Sequence, residues 1–236
     1  MDITDSNLLH SLPKGYNAVI VGASGGIGRA ICDLLQTQTD LGHLLELSRS
    51  QNAFDLLDET SIAGHARALT KHPIHLLICA TGILTTNGRP PEKSLRHLDP
   101  EIMLAQFRAN TIGPALVAKH FLPLLDRKSR TIAAFLSARV GSIGDNRLGG
   151  WVSYRSSKAA LNQIVRTASI EVARTHPEAV VTAIHPGTVR TKLSDPYSSG
   201  HPTVSADEAA RAILSSLNRL TTSGAFVAYD GTAIPW

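Results

Sequence analysis

The chain has 236 residues, 43% of them hydrophobic and 18% charged, with a formal net charge of +4. This is the balance of a soluble globular domain long enough to bury a substantial core. No apolar run approaches the 18 residues of a membrane span, and the acidic start Met1-Asp2-Ile3-Thr4-Asp5 lacks the pattern of a secretion signal.

The basic surplus forms one tight group, Arg127-Lys128-Ser129-Arg130. With no recognisable module around it, this speaks against nucleic-acid binding and leaves a general attraction for an anionic cofactor. The ten histidines show no ligand spacing, so no metal site is expected. Cys32 and Cys79 sit in apolar segments without a disulfide framework, which fits a reducing cytoplasm. No repeat or linker divides the chain, so residues 1–236 are expected to form a single domain.

The first strand is predicted at Asn17–Val21, running into Gly22-Ala23-Ser24-Gly25-Gly26-Ile27-Gly28 and then a helix from Arg29. Strand, glycine turn and helix in this order make a phosphate-binding device. Glycine lets the backbone approach a pyrophosphate, and the helix start offers free N–H groups. The spacing is Gly-x-x-x-Gly-x-Gly rather than the commoner Gly-x-Gly-x-x-Gly. A second strand, His43–Ser48, ends at Ser48-Arg49-Ser50. NAD sites usually carry a carboxylate here. A cation between two hydroxyls suits a 2′-phosphate instead, which favours NADP over NAD.

A short third strand is predicted at Asn52–Leu56, too close to Arg49 for a full crossover helix. A helix over Thr60–Thr70 and a buried strand over Ile74–Ala80, closed by Thr81-Gly82, follow. Asp99-Pro100-Glu101 opens a long helix whose apolar positions are read as Met103, Phe107, Ile112, Leu116 and Phe121. Pro114 inside it has no N–H, so the helix should bend and free the Asn110 carbonyl.

Thr131–Ser137 is the next strand, followed by a glycine-rich loop to Gly149-Gly150-Trp151 and a helix, capped by Ser153, that Pro177 ends. On that helix Tyr154 and Lys158 share one face. An ammonium about 4 Å from the phenol, at an effective dielectric of about 20, would favour the phenolate by roughly 4 kcal/mol before desolvation. That is enough to bring the tyrosine near neutrality. The remaining elements are a strand at Val180–Ile184 delivering His185-Pro186-Gly187, a polar lid loop at Ser194–Pro202, a capping-box helix from Ser205 and a final strand at Ala225–Tyr229. Alternating strands and helices predict an α/β fold, a doubly wound parallel sheet of about seven strands with helices on both faces.

Taken together, Gly22/Gly26/Gly28, Asp55, Gly82, Asn110, Tyr154-x-x-x-Lys158 and Pro186-Gly187 resemble the short-chain dehydrogenase/reductase family over nearly the whole chain. The missing crossover helix and the segment from Gly141 to Arg155 resemble its sniffer-like carbonyl reductase branch, which also includes C-factor-type signalling proteins. The resemblance implies a Rossmann fold and NADPH-dependent reduction of a small carbonyl compound. Tyr154 would be the general acid/base, Lys158 would lower its pKa, and Asn110 would hold a water of the proton relay. It further implies that Gly22, Ser24, Gly26, Ile27, Gly28, Ser48, Arg49, Asp55, Leu56, Ala80, Thr81, Gly82, Asn110, Tyr154, Lys158, Pro186, Gly187 and Val189 bind the dinucleotide, and that copies of the chain associate. A dinucleotide-binding signalling protein with little turnover is the alternative. Two departures stand out. Cys79-Ala80-Thr81-Gly82 replaces the usual Asn-Asn-Ala-Gly, and Ala138 falls where the family has its catalytic serine, leaving Ser137 or Ser142 as substitute donors.

Overall fold

In the computed structural model, residues 7–69, 72–191, 193–197 and 203–236 are described. The acidic start, Thr70 at the end of a predicted helix and much of the predicted lid, residues 198–202, lie outside them.

Among the described residues six strands form one parallel sheet: β1 (Tyr16–Val21), β2 (Leu41–Leu47), β3 (Leu76–Cys79), β4 (Thr131–Leu136), β5 (Ala179–His185) and β6 (Phe226–Ala228). Their spatial order is β2-β1-β3-β4-β5-β6. The central strands are buried along nearly their whole length and mostly apolar because both faces are covered. Val19, Val21, Phe135 and Val181 face one core with α3 (Glu59–Ala68), α5 (Gly113–Phe121) and α6 (Val152–Val172). Ala18, Ile20, Ile132 and Ile184 face a second core with α1 (Gly26–Gln36) and α7 (Ala206–Arg219). The result is a three-layer α/β domain. No helix among the described residues is long and apolar enough to cross a membrane.

The expected strand at Asn52–Leu56 does not form, which accounts for six strands rather than about seven. The Ser48 hydroxyl accepts from Gln51 N and starts a single helical turn, α2 (Arg49–Asn52). Ala53 then turns left-handed at φ +54°, and the Asp55 carboxylate accepts from Leu57 N. Local side-chain bonds to the backbone outcompete strand pairing here.

Asp99 caps α4 (Pro100–Phe107) as predicted, and Ser205 with Glu208 completes the capping box of α7. Between α4 and α5 the chain makes a five-residue π-helical turn, Arg108–Ile112, just before Pro114. The buried side of this composite helix runs through Ile102, Gln106, Asn110, Pro114, Val117 and Phe121. Of the positions predicted to be apolar and inward, Ile112 is 48% exposed. Polar Gln106 and Asn110 occupy the inner face because they hold the chain after β3. Gln106 donates to Leu84 O at 2.9 Å, and Asn110 both donates to Ile83 O and accepts from Ile83 N.

Candidate active site

β1 leads to β2 on one side of the sheet and β3 pairs on the other, so a crevice opens beyond their carboxyl ends. A cavity of about 670 Å³ fills it, lined among others by Gly22, Ser24, Ser48, Arg49, Leu56, Ala80, Thr81 and Gly82. Gly22, at φ +87°, could not carry a side chain, since a Cβ would stand 2.7 Å from Ala80 O. At Gly28 a Cβ would stand 2.2 Å from Gly22 O, so this glycine closes the turn onto α1. The start of α1 has no side-chain cap and no acidic residue in its first turn. Its N–H groups and positive dipole end are therefore available to an anion.

Arg49 is exposed on the cavity wall, whereas Ser48 is buried and spends its hydroxyl on Gln51. The nearby carboxylate Glu46 is already paired with Arg29 at 3.0 Å. A glycine cradle, an uncapped helix start and an exposed arginine fit the phosphates of a dinucleotide. Other predicted binding residues are held by local contacts. The Asp55 carboxylate closes its own turn, Gly187 packs so that a Cβ would meet the Tyr229 ring at 2.9 Å, and Val189 is buried beside a bridge to Val204. Gly26 faces Thr191, whose methyl would lie 2.8 Å from an added Cβ. Ile27 and Pro186 are half-buried.

Gly82 joins the cavity to the predicted catalytic group. A Cβ there would approach Lys158 Nζ to 3.3 Å and Asn110 Oδ1 to 3.4 Å. Lys158 is 3% exposed and donates to Leu136 O, at the end of β4, at 2.9 Å. Asn110 is fully buried and its amide also donates to Ser157 Oγ at 3.1 Å. Thr111 donates to the Ser157 carbonyl at 2.7 Å, fastening the π turn to α6. Thr81 contacts the Cys79 thiol at 3.4 Å, so it supports the end of β3 in place of the usual amide.

Tyr154 sits one turn before Lys158, 9% exposed. Burial pushes its hydroxyl up to about 12, and burial pulls the Lys158 ammonium down to about 8. This is opposite to the expected lowering of the tyrosine. Desolvation disfavours the charged form of each, and Lys158 is turned to a carbonyl rather than a phenolate.

Neither substitute serine is free. Ser137 donates to Asn162 Oδ1 at 2.6 Å, away from the cavity, as strand alternation predicts. Ser142, 1% exposed, donates to Pro235 O at 2.5 Å and accepts from Asp145 N at 3.0 Å. The space beside Ala138 therefore has no serine donor among these two.

Sequence reasoning missed the support of Tyr154. The cap of α6 is Trp151, left-handed at φ +52°, and not Ser153. Its N–H donates to Glu92 O at 2.5 Å, and Ser153 gives both its N–H and its hydroxyl to the Glu92 carboxylate, which is 4% exposed. Arg155 donates to the carbonyls of Val140, Gly149 and Gly150. The Trp151 ring meets Tyr154 edge-on at 6.3 Å and Tyr197 at 5.7 Å. Only the Gly149-Gly150 pair before an aromatic residue hinted at this turn; Glu92 lies about 60 residues away and carried no local signal.

Comparison with known proteins agrees with this geometry. Residues 16–201 match a family described as short chain dehydrogenase. The chain is 33% identical over 141 residues to the 1-hydroxy-2-glutathionyl-2-methyl-3-butene dehydrogenase of a Rhodococcus species, covering 59% of this chain and 61% of that protein. It is 36% identical over 146 residues to the C-signal protein of Myxococcus xanthus, covering 61% of this chain and 84% of that one. In fold it resembles the NADPH-bound carbonyl reductase from chicken fatty liver, with a TM-score of 0.83 at 24% identity over 96% of this chain and 97% of that chain. The carbonyl reductase Sniffer of D. melanogaster aligns with a TM-score of 0.80 at 22% identity over 94% and 99%.

Proposed function

Because the chain belongs to the short-chain dehydrogenase family, we propose that it reduces a small aldehyde or ketone to an alcohol with NADPH, with Tyr154 as the general acid. The observation that carries this reading is the junction at Gly82, where the dinucleotide cleft opens onto Lys158 and Asn110. A dihydronicotinamide held in the cleft lined by Gly22, Ser24 and Gly82 would supply the hydride for the carbonyl carbon. Tyr154 gives the carbonyl oxygen its proton, completing the alcohol. Burial keeps that hydroxyl protonated at neutral pH but also makes it a weaker acid, so donation depends on the Lys158 ammonium one turn away to stabilise the phenolate left behind. Lys158, with Asn110 beside it, returns a proton to Tyr154 from solvent.

Arg49 would pair with the 2′-phosphate, which supports NADPH over NADH. Cys32 and Cys79, both free and buried, are in keeping with a cytoplasmic setting. Association of copies through α5 and α6 completes the proposal.

The test is a titration with both cofactors, then a panel of aldehydes, ketones and quinones. Tyr154→Phe should abolish turnover while keeping cofactor affinity, and Arg49→Ala should weaken NADPH far more than NADH. Wild-type turnover by Tyr154→Phe would overturn the mechanism. Ala138, with Ser137 and Ser142 both engaged, favours the second reading of a dinucleotide-binding signalling protein. Tight NADPH binding with no turnover across the panel would establish it.

A further inference from the structure

The Trp151 backbone is left-handed, a conformation that is strained for a residue with a bulky side chain. Such strain persists only where surrounding contacts hold it. Here they are specific: Glu92 O takes the Trp151 N–H, the Glu92 carboxylate takes Ser153, and Arg155 grips the two glycine carbonyls before it. Glycine would meet the backbone requirement without strain. The indole must therefore serve a purpose of its own.

That purpose is legible in what the ring touches. It stands edge-on to Tyr154 on one side and to Tyr197 on the other. The Tyr197 hydroxyl in turn lies 2.9 Å from Thr85 Oγ1, and Thr85 lines the cleft. The three rings make a continuous aromatic wall from the proton donor to the cleft edge. A molecule whose carbonyl oxygen reaches the Tyr154 hydroxyl must lay the rest of its body along this wall.

We propose that Trp151, held by Glu92 and Arg155, determines substrate specificity by selecting flat apolar carbonyl compounds, aryl or conjugated aldehydes and ketones, that pack against the indole. Planar substrates gain ring contacts with Trp151 and Tyr197 that a short aliphatic carbonyl cannot make. Lodging against a fixed ring also orients the carbonyl at a site where no serine does so. The inference rests on the reductase reading, and its test has one arm that does not.

In the first arm, kcat/KM is measured for benzaldehyde and propanal in the wild type, Trp151→Gly and Trp151→Phe. Glycine suits the left-handed backbone, so the truncated variant should keep its fold. Trp151→Gly should lose about tenfold for benzaldehyde with little change for propanal, and Trp151→Phe should recover most of the loss. Equal losses for both substrates, or none for either, would overturn the proposal. The second arm uses indole fluorescence. The chain has two tryptophans, so Trp236→Phe leaves Trp151 as the only reporter. Benzyl alcohol should quench it at concentrations where propanol does not, and identical responses would count against the wall. If no carbonyl is turned over, the reductase reading fails, and the fluorescence arm alone decides whether the wall binds aromatic ligands.

Discussion

Ser137 donates its hydroxyl to Asn162 Oδ1 at 2.6 Å, pinning the end of β4 to α6 and engaging the one serine next to Ala138. Its role is structural. Ser137→Ala should lower unfolding free energy by about 1–3 kcal/mol, because the buried Asn162 oxygen loses its donor. Ala138→Ser should instead raise turnover, by up to about 10²-fold, by restoring a donor to the developing oxyanion. Urea melts and steady-state rates on the two variants separate these effects. A faster Ser137→Ala enzyme would contradict both.

Ser142 makes the complementary case. Its hydroxyl bridges Pro235 O and Asp145 N while almost completely buried. Ser142→Ala should cost about 1–3 kcal/mol of stability and leave kcat unchanged. A selective fall in kcat with an unaltered melt would identify it as the missing donor after all.

Lys158 gives the protein a pH signature. Its folded-state pKa, about 8, lies below the ordinary 10.5, so below pH 8 the fold carries the full cost of a buried ammonium, about 3 kcal/mol. Between pH 8 and 10.5 the unfolded chain binds more protons, and this contribution makes stability rise with pH. Tyr154, raised to about 12, acts in the other direction, but only above pH 10. Wild type should therefore gain about 2 kcal/mol relative to Lys158→Met between pH 7.5 and 10, read from urea midpoints of both proteins.

Gly28 and Gly26 should respond differently to alanine. At Gly28 the new methyl would press on the Gly22 carbonyl at 2.2 Å, backbone against backbone. At Gly26 it would meet the Thr191 side chain, which can rotate aside. Gly28→Ala should lose about 1–3 kcal/mol and its dinucleotide affinity together, whereas Gly26→Ala should keep most of its stability. Thermal melts with and without NADPH would show the contrast.

The sheet was readable because its central strands are buried on both faces and so appear as unbroken apolar runs, and the glycine turn because its spacing is local. The strand wrongly expected at Asn52–Leu56 has apolar residues but is governed by Ser48 and Asp55 bonding to nearby backbone. The inner face of the Asp99 helix was misread because Gln106 and Asn110 look like surface residues until their partners after β3 are known. Tyr154 and Lys158 can be paired on one helix face from their spacing, but the direction of their titration cannot be read there, since burial depends on the whole fold. Glu92 was invisible for the same reason: its partners Trp151 and Ser153 come together only in three dimensions.

The π turn at Arg108–Ile112 amounts to one residue more than an α-helix of the same span would need. Each α-helical residue advances the chain by about 100° around the axis. Removing one residue from this turn would restore an ordinary helix over the same span, leaving α4 and α5 in place but moving the residues of the turn itself round the axis by up to about that angle. Asn110 could then no longer face both Ile83 and Ser157 while Gln106 kept Leu84. The segment should consequently tolerate exchanges of side chain far better than changes of length. A single-codon deletion there would misplace the Asn110 amide without touching any residue of the glycine turn.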